Sequence, residues 1–237
     1  MYKILAINPG STSTKIALYE DEKEIFTKTL NHSEESMKQF DDVKEQLNMR
    51  MDFVKSYLKE KEFDIKELSC VVARGGMLPP VKSGAYIINE LMLDRVENRP
   101  VMEHASNFAA PIAYDIAKEA GIPAYIYDAV MTDELTDIAR ISGMPELPRI
   151  SSTHVLNTRA MAIKYANLHG KKYNELNIIT AHLGGGISLG IHAKGAITDF
   201  VGDDEGPFSP ERSGKVPCRE LINLCYSGKY DKKTMQR

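Results

Sequence analysis

Two stretches of this chain, 174 residues apart, share one pattern, and that repeat limits the fold more than any other feature. Residues 3–30, KILAINPGSTSTKIALYEDEKEIFTKTL, read as an apolar strand, a Gly-containing turn, a second strand, a short polar turn and a third strand. Residues 176–200, LNIITAHLGGGISLGIHAKGAITDF, follow the same order. The offset places Ile4 on Ile178, Leu5 on Ile179, Asn8 on His182 and Gly10 on Gly184. Each unit thus ends its first strand with a polar side chain two residues before a glycine. A repeat so widely spaced implies two lobes of like topology rather than a short-period solenoid. A chance likeness between two Gly-rich hairpins is the alternative.

The segments between the repeats alternate helix and strand. Met37, Phe40, Val43, Leu47, Met51, Val54 and Leu58 recur at helical spacing, which predicts a helix over 33–61 with Ser33 as N-cap. SCVVA (69–73) reads as a buried strand running into Arg74-Gly75-Gly76. A helix over about 106–120 stops at Gly121-Ile122-Pro123, and AYIYD (124–128) is a strand ending in Asp128. Ser151, Ser152 and Thr153 offer N-caps for a helix to about 169. This alternation predicts an α/β architecture with mixed sheets.

Composition excludes several classes. Hydrophobic residues make up 43% and charged residues 27% of the 237, the balance of a globular protein. The net charge is −3 with no basic stripe, so nucleic acid is not an expected partner. No apolar run approaches the roughly 20 residues of a membrane helix, and the N-terminus lacks a signal-peptide core. Three cysteines without C-x-x-C spacing argue against a disulfide framework or structural zinc site and make the cytoplasm the expected compartment. Cys218 and Cys225, seven apart, would share one apolar helix face, in packing or in redox chemistry.

The turns point to phosphate. Glycines let backbone N–H groups approach an anion, and successive amides form an anion-binding nest. Around Gly10 the hydroxyls of Ser11, Thr12, Ser13 and Thr14 add donors, and Lys15 adds a charge. Gly184, Gly185 and Gly186 repeat the theme beside His182. This is not a Walker loop, because G-x-x-x-x-G-K-[ST] is absent and the turn leads into a strand.

INPGSTSTK (7–15), AHLGGGISLG (181–190) and GPFSPERSG (206–214) together resemble the butyrate kinases of the acetokinase family. The resemblance implies the actin, Hsp70 and sugar-kinase (ribonuclease H-like) fold class, with duplicated βββαβαβα lobes and an active site between them. It places a first lobe at 1–149, with a phosphate hairpin and acyl-substrate site, and an incomplete second lobe at 150–237, with the second hairpin and a catalytic arginine loop. The implied reaction transfers the γ-phosphoryl of ATP, with Mg²⁺, to a short-chain fatty acid such as butyrate or a branched relative, reversibly giving acyl phosphate and ADP. Family members continue well past Arg237, and YDKKTMQR (230–237) stops within two turns of a helix opened by Asp231, so the sequence reads as truncated. A non-catalytic nucleotide- or phosphate-binding fragment is therefore the competing reading. A homo-oligomer is implied for the full-length protein.

A carboxylic acid is already ionised at neutral pH and needs no general base. Phosphoryl transfer asks for positioning and charge neutralisation. By resemblance, Arg212 in ERSG meets the transferring phosphoryl group and Asp128 orients an arginine or a Mg²⁺-bound water. Asn8 lies near metal and phosphate, and the two turns (Gly10, Ser11, Thr12, Ser13 and Lys15; His182, Gly184, Gly185 and Gly186) hold phosphates. Arg74 is expected to clamp the substrate carboxylate, although the wider family carries R-V-V-H-G-G here, its arginine three positions before the one aligned to Arg74. His182, His104 and His154 are expected to donate to phosphate oxygens; where acetate kinases have H-G-T-S-H, this chain has Ile150 in place of the first histidine. Ala73, Pro207 and Phe208 are the expected acyl-chain pocket. His32, His169 and His192 read as surface residues, and Asp203-Asp204-Glu205 as a solvated loop.

Overall fold

The computed structural model describes residues 1–10, 13–33, 40, 45–202 and 204–235. The chain forms two compact units, Met1–Glu134 with Arg140–Leu156, and Leu135–Ala139 with Asn157–Arg237. The division differs from the single boundary placed at 149/150. Leu135 and Ala139 pack with Phe200 in the small core of the second unit, whereas Arg140 forms a paired hydrogen bond with Asp133 at 2.7 and 2.9 Å in the first.

The first unit is built on a mixed six-stranded sheet of order β3-β2-β1-β4-β6-β5. Strands β1 (Lys3–Pro9), β2 (Ser13–Glu20) and β3 (Lys23–Asn31) form an antiparallel meander. β4 (Cys70–Arg74) lies parallel to β1, β6 (Ala124–Tyr127) parallel to β4, and the short β5 (Ala85–Ile87) antiparallel at the edge. Period-two alternation decides the faces. Leu5, Ile7, Val71, Ala73 and Ile126 point to one side, where Ile112 and Ile116 and then Val54 and Leu58 cover them, all essentially without exposure. Those covering residues belong to α3 (Ala109–Ala120) and α1 (Gln46–Glu60), with α2 (Glu90–Asn98) beside them.

α3 is Ala-rich and tolerates Pro111 because a first-turn N–H has no partner within the helix. It ends as the sequence predicts, with Gly121 left-handed at φ 72° and its N–H returned to the Ala117 carbonyl. α1 is shorter than its periodicity suggests. It begins at Gln46, Phe40 is irregular, and Met37 and Val43 lie outside the described residues.

The core of this unit contains a charge. Arg50 of α1 has no exposed surface. Its Nη1 donates to the Gly10 carbonyl (2.9 Å), the Ser13 carbonyl (3.1 Å) and Thr14 Oγ1 (3.1 Å). Its Nη2 donates to Gln46 Oε1 at 3.0 Å, and Phe108 lies under the guanidinium at 5.3 Å. A guanidinium N–H only donates, so the Thr14 hydroxyl is left to donate to His32 Nε2, 2.9 Å away. His32 is thus a buried residue rather than a surface one. Burial and the neighbouring Arg50 charge lower its pKa to about 4.

The second unit carries a three-stranded antiparallel sheet, β7 (Asn177–Leu183), β8 (Ile187–Ala193) and β9 (Ala196–Val201), together with α4 (Val155–Leu168), whose first two residues fall in the first unit. The 174-residue offset carries Lys3 onto Asn177, Pro9 onto Leu183 and Ser13 onto Ile187, so β1 and β7 match end for end. The turns differ. Pro9 pairs with Thr14 across four residues, Leu183 with Ile187 across three glycines. His192, also read as a surface residue, is 1% exposed between Tyr173 Oη (2.7 Å to Nδ1) and Thr180 Oγ1 (3.0 Å to Nε2). Helices α5 (Cys218–Cys225) and α6 (Lys232–Met235) follow. Cys218 and Cys225 sit on a helix as spaced, but both are exposed, so packing does not explain them.

The His32 ring links stability to pH. Its folded pKa of about 4 lies below the ordinary 6.5, so between those values the unfolded chain binds more protons. The contribution is fully present above pH 6.5 and is lost as pH falls toward 4, up to about 3 kcal/mol. Urea unfolding from pH 7 to 4.5 should show this slope in the wild type and a flatter one in His32→Gln.

Candidate active site

Hydrogen-bonding register places Asn8 directly opposite Lys15 on β1 and β2. Both line a cavity of about 330 Å³ on the first unit, with Tyr19, Arg74, Tyr127 and Leu156. Of the residues expected from sequence, Asn8, Lys15, Ala73 and Arg74 are therefore brought together, Ala73 with its side chain in the hydrophobic core. Tyr19, Tyr127 and Leu156 were not anticipated; the sequence signal available was strand alternation, which puts Ala6, Val72 and the two tyrosines on one sheet face.

Arg74 ends β4 and is largely buried, and loss of solvation pushes its guanidinium pKa down. Among the described residues it makes no hydrogen bond or ion pair. The two glycines after it are sterically required. A Cβ on Gly75 would lie 2.5 Å from Ala129 Cβ, and one on Gly76 would lie 2.8 Å from Asn107 Oδ1, which accepts from Met77 N. Asp128, one residue past β6, is 2% exposed and left-handed at φ 42°. Its Oδ1 accepts from Ser83 Oγ (2.7 Å) and Gly84 N (3.1 Å), fastening the turn before β5.

His104 is elsewhere. It caps the 3-10 turn Ala105–Phe108, its Nδ1 accepting from Ser106 N at 3.1 Å, and it lines a second cavity of about 220 Å³ with Leu47, Glu97 and Phe108. His154 is half-buried immediately before α4. Ser11 and Thr12 lie outside the described residues; Gly10 N donates to the Ser13 carbonyl at 2.7 Å.

In the second unit the GGG turn and the GPFSPERSG loop are one packed object. Ser209 Oγ and Glu211 N both donate to the Gly185 carbonyl, and the Glu211 carboxylate lies 2.7–2.9 Å from where a Cβ on Gly185 would stand. Asn157 Nδ2 donates to His182 Nδ1 at 2.9 Å, which leaves the proton on Nε2; that atom leans over Gly184, 2.9 Å from its Cβ position. Arg212 pairs locally, with Nη1 donating to the Glu211 carbonyl at 2.9 Å, and stays nearly half exposed. Pro207 and Phe208 are exposed, Phe208 by 80%. Ser209, Glu211 and Asn157 escaped the sequence reading because their roles arise from contacts between loop, turn and helix.

Among the described residues no group of three or more His, Cys, Asp or Glu could hold a metal ion, and no helix is long and apolar enough to cross a membrane.

No protein-family model matches the chain. Its fold aligns with the crystal structure of Porphyromonas gingivalis acetate kinase at a TM-score of 0.73 and 18% identity, covering 100% of this chain and 67% of that one. The architecture is therefore that of the acetokinases, in the actin, Hsp70 and sugar-kinase class. The chain is also 49% identical over 231 residues to a probable butyrate kinase of Clostridium botulinum, covering 97% of this chain and 65% of the relative. It is 46% identical over 238 residues to probable butyrate kinase 2 of Caldanaerobacter subterraneus, covering 100% of this chain and 67% of the relative. The chain belongs to the butyrate kinase family. It spans 65% of the length of the first of these relatives.

The loop makes its own prediction. Gly214 is left-handed at φ 63°, and a Cβ there would stand 2.5 Å from Phe208 N. Gly214→Ala should cost about 1–3 kcal/mol and raise hydrogen exchange at the amides of Ser209 and Glu211. Gly143→Ala, where a Cβ meets nothing within 4 Å, should change neither.

Proposed function

We propose that this chain carries the phosphoryl-transfer machinery of a short-chain carboxylate kinase, moving the γ-phosphoryl of ATP to butyrate or a branched relative. The observation that carries the reading is Arg74, a largely buried guanidinium at the carboxyl end of a parallel strand, in a cavity with Asn8 and Lys15, with no protein partner among the described residues. Burying a charge without compensation is costly, so such a cation is suited to an anionic ligand. A carboxylate oxygen attacks the γ-phosphorus as the bond to the β–γ bridging oxygen breaks and ADP leaves, with no proton transferred. Arg74 holds the carboxylate, and Arg212, nearly half exposed, neutralises the transferring group.

The Gly10 and Gly184–Gly186 turns, Ser13 and Lys15 bind phosphate oxygens. His182 donates through Nε2 and His154 is assigned a supporting contact, whereas His104, which lines the second cavity, is given none here. Asp128, bonded to Ser83 and Gly84, shapes the strand ends and orients its neighbours. Mg²⁺ takes few protein ligands and keeps water and phosphate oxygens, so the exposed Asn8 amide fits as a single donor to an ion that supplies charge neutralisation when bound. The acyl chain lies against Ala6, Val72 and Leu156 of the cavity rather than against Ala73, whose side chain is in the hydrophobic core. The similarity to relatives named as butyrate kinases supports this reading.

The test is acyl phosphate formation, trapped as the hydroxamate, from ATP, Mg²⁺ and butyrate or isobutyrate. Arg212→Ala should lower kcat on the order of 10³-fold. Arg74→Ala should raise KM for the carboxylate about 10²-fold while leaving KM for ATP nearly unchanged. ATP binding without any acyl phosphate would favour the non-catalytic reading, and near-wild-type turnover in either variant would remove that residue's role.

A further inference from the structure

Strand register gives the dimensions of the cavity that holds Arg74. Asn8 lies opposite Lys15, and Ile7 pairs with Ala73, so one row across β2, β1 and β4 reads Lys15, Asn8, Arg74. Two residues back along β1, the next row on the same face reads Ala17, Ala6, Val72. Two residues further, Tyr19 of β2 stands opposite Ile4. All of these but Ile4 line the one cavity of about 330 Å³. A polar row and a tyrosine therefore face each other across a floor of two alanines and a valine. The Tyr19 hydroxyl donates to Glu24 Oε2 at 3.2 Å on the neighbouring strand, so its polar end is engaged and its ring serves the cavity as an apolar end wall.

Two residues of strand advance about 6.7 Å, so the polar row and the Tyr19 position are about 13 Å apart. The three C–C bonds of butyrate, at about 1.5 Å each, reach no farther than about 4.5 Å from the carboxyl carbon. A butyrate whose carboxylate meets Arg74 thus ends over Ala6 and Val72 and leaves the stretch between Ala17 and Tyr19 uncovered. A larger side chain at position 17 would fill that stretch; alanine keeps it open. We propose that Ala17 and Tyr19 set the acyl-chain length, and that the site takes straight-chain carboxylates of about six carbons more tightly than butyrate. The inference rests on the placement of the carboxylate at Arg74 in the kinase reading above, and deepens it by naming the substrate class. Each further methylene laid on this floor contributes about fourfold in affinity. The alanine and valine side chains present no polar group that must lose its water.

Titration calorimetry with butyrate, hexanoate and octanoate on wild type, Ala17→Leu and Tyr19→Ala is the test, with thermal midpoints measured in parallel. Hexanoate should bind the wild type about tenfold tighter than butyrate. In A17L that preference should shrink to about twofold or less, and in Y19A octanoate should gain about tenfold relative to hexanoate. A residue that served packing alone would weaken all three acids alike, so the ratio between acids is the readout. A wild type that binds hexanoate no tighter than butyrate overturns the proposal, and so does an A17L variant with the wild-type ratio. Should A17L fail to fold, Y19A decides: an octanoate-to-hexanoate ratio raised about threefold or more supports the end wall, and an unchanged ratio refutes it. Acids that bind in the expected order while no acyl phosphate forms from ATP·Mg²⁺ support this inference and count against the kinase reading. A wild type that binds none of the acids overturns the carboxylate site at Arg74, and this inference with it.

Discussion

A cation in the interior of the first unit ties together three parts of the chain that are far apart in sequence. Arg50 is held by α1, reaches the turn between β1 and β2, and lies over Phe108 just before α3. Placing a guanidinium there is costly in desolvation, and burial lowers its pKa to about 10, which still leaves it charged at neutral pH. Charge-assisted bonds to two carbonyls and a hydroxyl offset that cost only if the turn keeps one geometry. The shape of the turn and the seating of α1 on the sheet therefore depend on each other.

From that anchor the parallel strands β1, β4 and β6 bring their carboxyl ends into line, where open α/β sheets gather ligands. Arg74 and Asp128 occupy two such ends and are treated differently. Asp128 spends its Oδ1 on Ser83 and Gly84, while Arg74 is left with solvent and cavity around it. Gly75 and Gly76 let β4 run hard against Ala129 and Asn107, so the direction of Arg74 is set by packing behind it.

The two hairpins show how a duplicated frame diverges. β1 and β7 match residue for residue under one offset, yet the first turn is secured from inside by an arginine and the second from outside by a loop, through Ser209 and Glu211 on Gly185. Beneath the second hairpin a hydrogen-bonded cluster, Tyr173, His192 and Thr180, fills polar core.

The strands of the two hairpins, the placement of both glycine turns and the helix stop at Gly121 were legible in the sequence, because they follow from alternation and turn chemistry, whereas the sheet order and the meeting of Asn8, Lys15 and Arg74 in one cavity come from the pairing of three separate strands. Arg50, His32 and His192 were not, since a polar residue on a predicted surface face becomes interior only when a distant segment covers it. The same holds for Asn157 and Glu211, whose partners His182 and Gly185 lie across space. The sequence by itself determined the elements and the chemistry of the turns through local periodicity and residue type. Which polar groups are buried, paired or left open for a ligand was decided by tertiary packing, because solvation is a property of everything that surrounds an atom and no window of neighbouring residues contains it.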